Sequence, residues 1–316
     1  MKKTIVLLAL LPLLSTAQNK LVNKPLPLIE TITSDTIKGK YQEIVFTYDQ
    51  LNRVVMIASI NCTVKQSNNN IQAQTDTTKI QKFEYANNNM KPLSRRIINY
   101  DYSEKKKKMV WHTNELQYFM YENGRRTRDS VLHKENTNDF EGDWGYSITL
   151  RANIATLEQT DSTVLHNYDL TEPGNPPEIY KEYLEYRTNV RTEATEHIFA
   201  NNSRSGSYFI YTKFDHAINP FNRLNIAAIL ATEKIEFGDG TSIFNWHYLN
   251  KNNPAKYSIT RGEKDSPFKD LVSMAYQYNE FQQPVYCTVS IKIVLNNDES
   301  NVDKHYQKHF AFRYKE

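Results

Sequence analysis

The sequence predicts an all-β fold, in which an antiparallel array of long β-hairpins forms one strongly twisted, open or half-closed sheet. Apolar and polar residues alternate over long stretches, as they do on strands with one buried face. The chain contains 21 Tyr and 14 Phe among 316 residues, whereas disordered chains are poor in aromatic residues. An aromatic residue followed by a polar turn recurs at intervals of 30 to 47 residues, which indicates a repeated supersecondary unit.

The N-terminus has the pattern of a secretory signal peptide. Lys2 and Lys3 precede an apolar run from Thr4 to Leu14, and Ser15 and Ala17 are the small residues of a cleavage site. Cleavage near Ala17 implies an extracytoplasmic protein, which is periplasmic, associated with the outer membrane, or secreted. Without these 17 residues the chain has 37 basic and 36 acidic residues, so its charge gives no reason to expect a nucleic acid as partner.

The stretch from 18 to 40 predicts an extended arm or linker. It contains Pro25 and Pro27 and lacks a sustained period of apolar residues. From 41 to 316 the repeated pattern continues, and we expect a single β-repeat domain there.

The first copy of the repeat spans Phe46–Val54 and the strand after it, where apolar residues alternate with polar ones from Val54 to Val64. The second and third copies end at Tyr85 and Tyr121, at intervals of 37 and 36 residues. The Asp or Asn after such an aromatic residue can bond its own backbone and start a turn, and the Asn-Gly pair after Tyr121 is a strong hairpin signal. The later copies are placed at Tyr168, Phe214, Tyr248, Tyr278 and Tyr314.

One short stretch interrupts the strands. Asn219 and Pro220 are typical of an N-cap followed by Pro at the first helical position, so a short helix is predicted from there to about Leu230. Outside the signal peptide, we expect helix mainly in this neighbourhood.

The stretch Phe46–Val54 resembles the tyrosine-aspartate repeat of secreted bacterial repeat proteins, with Asn52 where that repeat usually has Gly. The later copies, from Tyr211 to Phe221, at Asn252-Asn253-Pro254 and from Tyr276 to Val285, look more like a family of uncharacterised secreted Bacteroidetes-type proteins with a porin-like fold. This second resemblance covers nearly the whole chain after the arm. It implies a single-layer porin-like sheet and brings no catalytic residue to this sequence.

One acidic stretch partly follows the pattern of a calcium loop. Asp139, Glu141 and Asp143 alternate like its first ligands. Trp144, however, stands where such a loop needs Gly, and Leu150 stands where it needs Glu. We therefore expect a solvated acidic loop without a metal ion.

Two further stretches have both a purely structural and a functional interpretation. His305 and His309 have the spacing that chelates a metal on a helix, but the surrounding residues alternate as a strand, which would place the two side chains roughly 13 Å apart. Lys105–Lys108 could contact an anionic surface such as lipid headgroups or polysaccharide. The favoured interpretation is a solvated hairpin tip between the strands around Tyr100 and Trp111.

These observations favour a non-enzymatic, exported β-sheet protein of the cell envelope with a binding or scaffold role. The sequence has no Gly-rich phosphate loop, nucleophile elbow or paired-cysteine motif, so we expect no catalytic residue and no cofactor. The partner could be an envelope protein, a glycan or a small apolar ligand, and association with a membrane surface is compatible with the pattern.

Two other functions stay open. An outer-membrane β-barrel would explain the alternation, but lipid-facing positions are almost purely apolar, and the strand predicted over 180–194 is only moderately apolar on its better face. A carrier of a small apolar ligand in the curved sheet would need a concave cleft lined by Tyr and Phe.

Cys62 and Cys287 are the only cysteines, and export would allow them to form a disulfide. Both stand among apolar residues of predicted strands, which favours burial as small hydrophobic side chains. In an open array of about fourteen strands the two would lie near opposite edges, whereas a disulfide needs Cα atoms within about 7 Å. We therefore expect two free thiols.

Overall fold

The structure is a computed structural model of the chain. The predicted signal peptide lies outside the residues that it describes. The described ranges are 26–67, 70–103, 106–134, 144–151, 162–169, 179–187, 190–198, 204–226, 229, 235–237, 242–244, 252–262, 267–295 and 302–315.

Strands account for nearly all of the described residues. Their bounds are β1 Ile29–Ser34, β2 Lys40–Tyr48, β3 Val54–Ser67, β4 Asn70–Tyr85, β5 Pro92–Ser103, β6 Lys108–Glu122, β7 Arg125–Lys134, β8 Trp144–Arg151, β9 Ser162–Asp169, β10 Ile179–Arg187, β11 Val190–Ile198, β12 Arg204–Ile218, β13 Ile235–Phe237, β14 Ser242–Phe244, β15 Asn252–Gly262, β16 Phe268–Tyr278, β17 Pro284–Leu295 and β18 Val302–Tyr314.

All strands except β13 and β14 join in one antiparallel sheet. Each pairs with its neighbour in the chain, β12 pairs with β15, and β1 pairs with both β2 and β18. The predicted all-β, antiparallel architecture is therefore confirmed. Whether the sheet closes could not be predicted from the sequence. In the structure β1 alone joins the first long hairpin to the last, so the hydrogen-bond order is circular.

Two predicted boundaries differ from the structure. Residues Ile29–Ser34, predicted as part of the arm over 18–40, form β1. Their β-branched side chains suit a strand, but the run is too short beside Pro25 and Pro27 to show a period. The single strand predicted over 180–194 is the hairpin of β10 and β11, because Arg187 pairs with Val190 and the chain turns back there.

The repeated tyrosines form a belt at one end of the sheet. Each hydroxyl donates a hydrogen bond of 2.6 to 2.9 Å to a backbone carbonyl at or near the start of the preceding strand in the sheet. The repeat therefore has a physical role, since it ties the end of one strand to the beginning of its neighbour. The belt and its acceptors are Tyr48 to Ile29, Tyr85 to Val54, Tyr121 to Pro92, Tyr276 to Pro254, and Tyr314 to Pro284.

One copy of the repeat differs from its predicted form. Tyr276 makes the belt contact, whereas Tyr278, the predicted aromatic residue, donates its hydroxyl to the carboxylate of Asp215. The two tyrosines lie two positions apart on one strand and so share a face, which is why the spacing alone could not distinguish them.

The β2–β3 and β16–β17 turns share one geometry. Oδ1 of Asp49 and Oδ1 of Asn279 each accept hydrogen bonds, at 2.9 to 3.0 Å, from the backbone N–H groups two and four residues further on. Asn52 and Gln282 both have φ of 59° at the third position after these residues. The predicted self-bonding of the residue that follows the aromatic is confirmed at both turns.

Basic side chains link neighbouring turns at the belt. Each lies over the ring of the next tyrosine: Arg53 over Tyr85 at 4.4 Å, Lys91 over Tyr121 at 5.6 Å, and Lys315 over Tyr48 at 5.9 Å from the ring centroid. Arg53 also donates to the backbone carbonyls of Asn87 and Asn89, at 2.6 and 2.8 Å. Lys315 donates to Oδ1 of Asn52 at 3.1 Å, so these links pass from the last strand to the first hairpin.

The connection between β12 and β15 begins with the predicted helix, which is shorter than expected. It is a single 3₁₀ turn, Pro220–Arg223, capped by Asn219, whose Oδ1 accepts from the N–H of Phe221 at 3.0 Å. Leu224 returns to extended backbone and ends the turn. The described part of the chain contains no helix with the length and apolar character needed to cross a membrane.

This connection, the crossing segment (residues 219–226 and 229), reaches the opposite side of the sheet. Asn225 accepts a hydrogen bond from the N–H of Val54 at 2.9 Å and donates to the hydroxyl of Tyr85 at 2.8 Å. Phe221 is fully buried, and its ring centroid lies 6.3 Å from that of Phe46. Because β12 lies about half of the strand order away from β3 and β4, the segment spans the interior and forms part of the apolar core.

Candidate functional site

A cavity of about 540 Å³ opens where β1 ends. The ladder between β1 and β18 stops at Ser34, opposite Phe310, while β18 and β3 continue beyond that point. The gap left by the short strand lies between β18 and the β2–β4 hairpins. Its lining residues are Ser34, Asp35, Ile37, Lys40, Tyr41 and Gln42 from the first hairpin, Asn61, Cys62, Thr63 and Asp76 from β3 and β4, and Lys308 and Phe310 from β18.

Local hydrogen bonds explain why β1 leaves the sheet at this point. The N–H of Gln42 is bonded to the hydroxyl of Ser34 at 2.9 Å, and the N–H of Asp35 to the carbonyl of His309 at 2.8 Å. The turn that follows contains Gly39 at φ 75°, whose carbonyl accepts from the N–H of Val64 at 2.7 Å. A Cβ at Gly39 would approach the carbonyl oxygen of Val64 to 3.1 Å, so both the backbone angle and the space favour glycine.

Lys308 is the buried cation of this cavity. Its exposed fraction is 8%, although lysine is among the residues least often buried. Burial lowers the pKa of Lys308, because a buried ammonium loses hydration, and the carboxylate of Asp35 acts in the opposite direction. The cavity therefore combines one desolvated positive charge with apolar surface from Phe310 and Ile37.

Tyr41 and Cys62 face each other across the β2–β3 ladder in the cavity wall. A hydrogen bond with Cys62, together with burial, raises the pKa of the Tyr41 hydroxyl. Burial raises the pKa of the Cys62 thiol. A thiol with a raised pKa is a poor nucleophile at neutral pH, so this pair acts as a polar contact within the wall.

The two cysteines lie far apart in the sheet. Cys62 is on β3 and Cys287 on β17, and β2, β1 and β18 lie between these strands. Four strand spacings of about 4.8 Å place them roughly 19 Å apart along the sheet. Both are buried, and burial raises the pKa of Cys287 well above its ordinary value.

We expect both cysteines to remain unpaired thiols in the folded protein, because a disulfide needs Cα atoms within about 7 Å. Intact mass after alkylation without reductant should show no label on the native protein and two labels after unfolding in denaturant. If the denatured protein accepts label only after reduction, the two residues are bridged and the strand order is wrong.

The other candidate residues do not converge on this cavity. His309 bonds Thr288 at 3.1 Å and His305 bonds Ser290 at 2.9 Å, each through a ring nitrogen, and both histidines lie on the outward face of β18 with Gln307 between them. Asp139, Glu141 and Asp143 lie outside the described residues. Among the side chains that are described, no group of three or more His, Cys, Asp or Glu is placed to hold a metal ion.

The predicted hairpin tip is confirmed. Lys106 and Lys107 form the turn between β5 and β6, and Tyr100 pairs with Trp111 just before it. Lys105 lies outside the described residues.

The cavity could not be predicted directly from the sequence. Its polar lining residues, such as Gln42, Asn61 and Lys308, come from strands at both ends of the chain. The one available signal was the position of Lys308 between Tyr306 and Phe310, because an alternating strand places these three residues on one face. A lysine in an otherwise apolar row is a candidate for a buried charge.

Comparisons with known proteins give a likeness of fold only. No family model and no curated protein matches the chain. The chain is similar to the crystal structure of a porin-like protein from Bacteroides uniformis, with 8% identity, a TM-score of 0.49, and coverage of 91% of this chain and 98% of that one. It is also similar to a porin-like protein from Bacteroides vulgatus, with 10% identity, a TM-score of 0.45, and coverage of 92% and 99%. Neither likeness bears on the tyrosine-aspartate repeat, which stays a prediction.

Proposed function

We propose that this chain is an exported, non-enzymatic β-sheet protein of the cell envelope that binds a small organic anion with an apolar body in the cavity beside β1. The observation that carries the proposal is Lys308, a buried ammonium in a cavity of ligand size. Export follows from the signal-peptide pattern of Lys2 to Ala17.

The lining supports a ligand with two chemically different parts. Phe310 and Ile37 offer apolar surface, whereas the ammonium of Lys308 offers a positive charge with which an anionic group can form a charge-assisted hydrogen bond. Gln42 and Asn61 are joined by a hydrogen bond of 2.8 Å and offer further polar atoms at the wall. A carboxylate on a short hydrocarbon chain matches this combination.

A binding role is favoured over catalysis by the chemistry of the lining. Among the described residues around the cavity there is no histidine, and the thiol of Cys62 has a raised pKa. No side chain there is poised as a general base beside a nucleophile. The purely apolar carrier considered from the sequence fits less well, since an apolar ligand would make no ionic contact with Lys308 in the cavity wall.

The outward face of β16–β18 favours this proposal over the outer-membrane barrel. Val272, Val289 and Phe310 belong to the apolar core, so the alternate positions face outward. Most of those positions are polar or small, with Leu271 and Tyr286 as the large apolar exceptions, whereas a lipid-facing surface is almost purely apolar. The polar or small positions include Ser273, Ala275, Gln277, Thr288, Ser290, Lys292, His305, Gln307 and His309.

The test measures binding of decanoate and of its neutral match, decanol, by titration calorimetry at pH 7. We expect decanoate to bind native protein at least about tenfold more tightly than decanol, because only the carboxylate pairs with Lys308. Lys308→Met should remove this preference, and the exposed control Lys292→Met should keep it. The preference should also decline with rising pH before the ordinary lysine range, since burial lowers the pKa of Lys308.

Equal binding of both probes by the native protein would exclude the ionic contact. Equal affinity of decanoate for native and Lys308→Met protein would have the same meaning. Absence of decanoate binding to the native protein would refute the proposal. Circular dichroism and a thermal melt of each variant establish that the sheet is intact.

A further inference from the structure

The hairpin of β5 and β6 separates from the strands on both sides towards its tip. β4 pairs with β5 only as far as Asn99, and β7 pairs with β6 only from Glu115 onward. In the ladders that the structure describes, residues 100–103 and 108–113 are therefore paired only with each other. They form a two-stranded segment, called here the ribbon, beyond the ends of the β4–β5 and β6–β7 ladders.

One face of the ribbon is aromatic and exposed. Tyr100 pairs with Trp111 and Tyr102 with Met109, so the four side chains share a face. The exposed fractions are 48% for Tyr102, 44% for Met109 and 45% for Trp111, and the rings of Tyr100 and Trp111 lie 5.0 Å apart. A contiguous group of large exposed apolar side chains is typical of an interaction surface.

The tip of the ribbon is positively charged. Lys106, Lys107 and Lys108 are consecutive and exposed, and Lys107 takes a positive φ of 51° in the turn. The lysines thus stand directly beside the aromatic face. Asp101 and His112 lie 3.6 Å apart on neighbouring strands and at the alternate positions, so they belong to the opposite face of the ribbon.

We propose that the ribbon docks on an anionic lipid surface. Charge complementarity carries the choice of partner, because three adjacent ammonium groups match a layer of anionic headgroups. Tyr and Trp prefer the boundary between headgroups and hydrocarbon, where the ring is buried and its polar atom stays hydrated. Met109 favours lipid over an acidic glycan, because its thioether chain offers hydrocarbon-like surface and has no flat ring on which a sugar can stack. This surface is independent of the cavity beside β1.

The test measures sedimentation of the chain without residues 1–17 together with lipid vesicles. The anionic vesicles contain phosphatidylethanolamine and phosphatidylglycerol in a ratio of about 7:3, which represents a moderately anionic surface. Vesicles of phosphatidylcholine alone are the neutral comparison. Binding to the anionic vesicles is expected and should weaken with added salt. Each lysine contributes roughly a factor of five near such a surface, so Lys106→Gln, Lys107→Gln and Lys108→Gln together should weaken binding about a hundredfold.

A matched triple variant distinguishes the effect of charge on the ribbon from the effect of the overall charge of the protein. Lys256→Gln, Lys292→Gln and Lys304→Gln remove the same charge from exposed positions elsewhere and should leave vesicle binding within about twofold of native. The tryptophan emission of native protein should shift to shorter wavelength on anionic vesicles, and Trp111→Phe should lose most of that shift. Circular dichroism of every variant should match the native spectrum.

Three results overturn the proposal. One is failure of the native protein to bind the anionic vesicles. Another is equal weakening by the two triple variants, which would mean that overall charge and not the ribbon drives association. The last is binding to soluble alginate without binding to vesicles, which would reassign the surface to an acidic glycan.

Discussion

Phe221→Ala should lower the free energy of unfolding by about 3 to 5 kcal/mol, the range for removing a fully buried aromatic side chain. Phe221 has no exposed surface and packs against Phe46 on the other side of the core. The substitution leaves a cavity between the crossing segment and the β2–β3 hairpin, and neither wall can collapse while Asn225 holds the segment to Val54.

Urea unfolding followed by circular dichroism measures this change. The matched control is Phe268→Ala, whose ring is 54% exposed and whose removal should change stability by no more than about 0.5 kcal/mol. Similar losses for the two variants would show that the crossing segment does not contribute to the core.

Alkaline pH should lower the free energy of unfolding, because the buried tyrosines of the belt hold their protons more tightly in the folded protein. Burial raises the pKa of Tyr48 and Tyr314 well above the usual tyrosine value of about 10, and it raises the pKa of Tyr85 to about 12. A raised pKa in the folded state means that the folded protein holds the proton more tightly than the unfolded chain. The belt therefore contributes its full stability below pH 10, and this contribution falls as the pH rises from 10 towards 12.

The expected loss at pH 11 is about 1 kcal/mol for each of Tyr48 and Tyr314, and less for the more solvated Tyr85. The total is about 2 to 3 kcal/mol relative to pH 8. Urea midpoints at pH 8, 9, 10 and 11 provide the measurement. The double variant Tyr48→Phe and Tyr314→Phe should be less stable at pH 8 but should lose less stability between pH 9 and 11.

Exposed tyrosines supply the comparison for this experiment. Tyr102 and Tyr118 are 48% and 47% exposed, and their replacement by Phe should leave the pH dependence at its native value. If the belt variant and this control have the same pH profile, ionisation of the belt is not the cause of alkaline destabilisation.

The fold was predictable where the determining contacts are local. The intervals between Tyr48, Tyr85 and Tyr121 reflect belt hydroxyls that each bond to an adjacent strand. Asp49 starts its turn by bonding the backbone a few residues further on, which any short window of sequence contains. The alternation of apolar and polar residues then predicted the strands on either side of these turns.

Contacts between residues distant in sequence were not predictable in the same way. Asn225 bonds Tyr85 and Val54 although the sequence around it predicts only the end of a short helix. The cavity depends on the end of β1 at Ser34, and β1 was assigned to an arm because its partner strands lie at the two ends of the array. A single sequence has no local pattern that reports Lys308 as a neighbour of the first hairpin.

The position of β1 also bears on the order in which the protein can fold. Its partner β18 lies nearly the whole chain length away, so the ladder between them has the largest loop-closure entropy in the sheet. Hairpins such as β3 and β4 need only adjacent residues and can form first. Until β1 docks, β2 and β18 expose unpaired backbone along both edges, which is the arrangement that recruits strands from other chains. The six residues of β1 thus complete the sheet last and protect both of its edges against aggregation during folding.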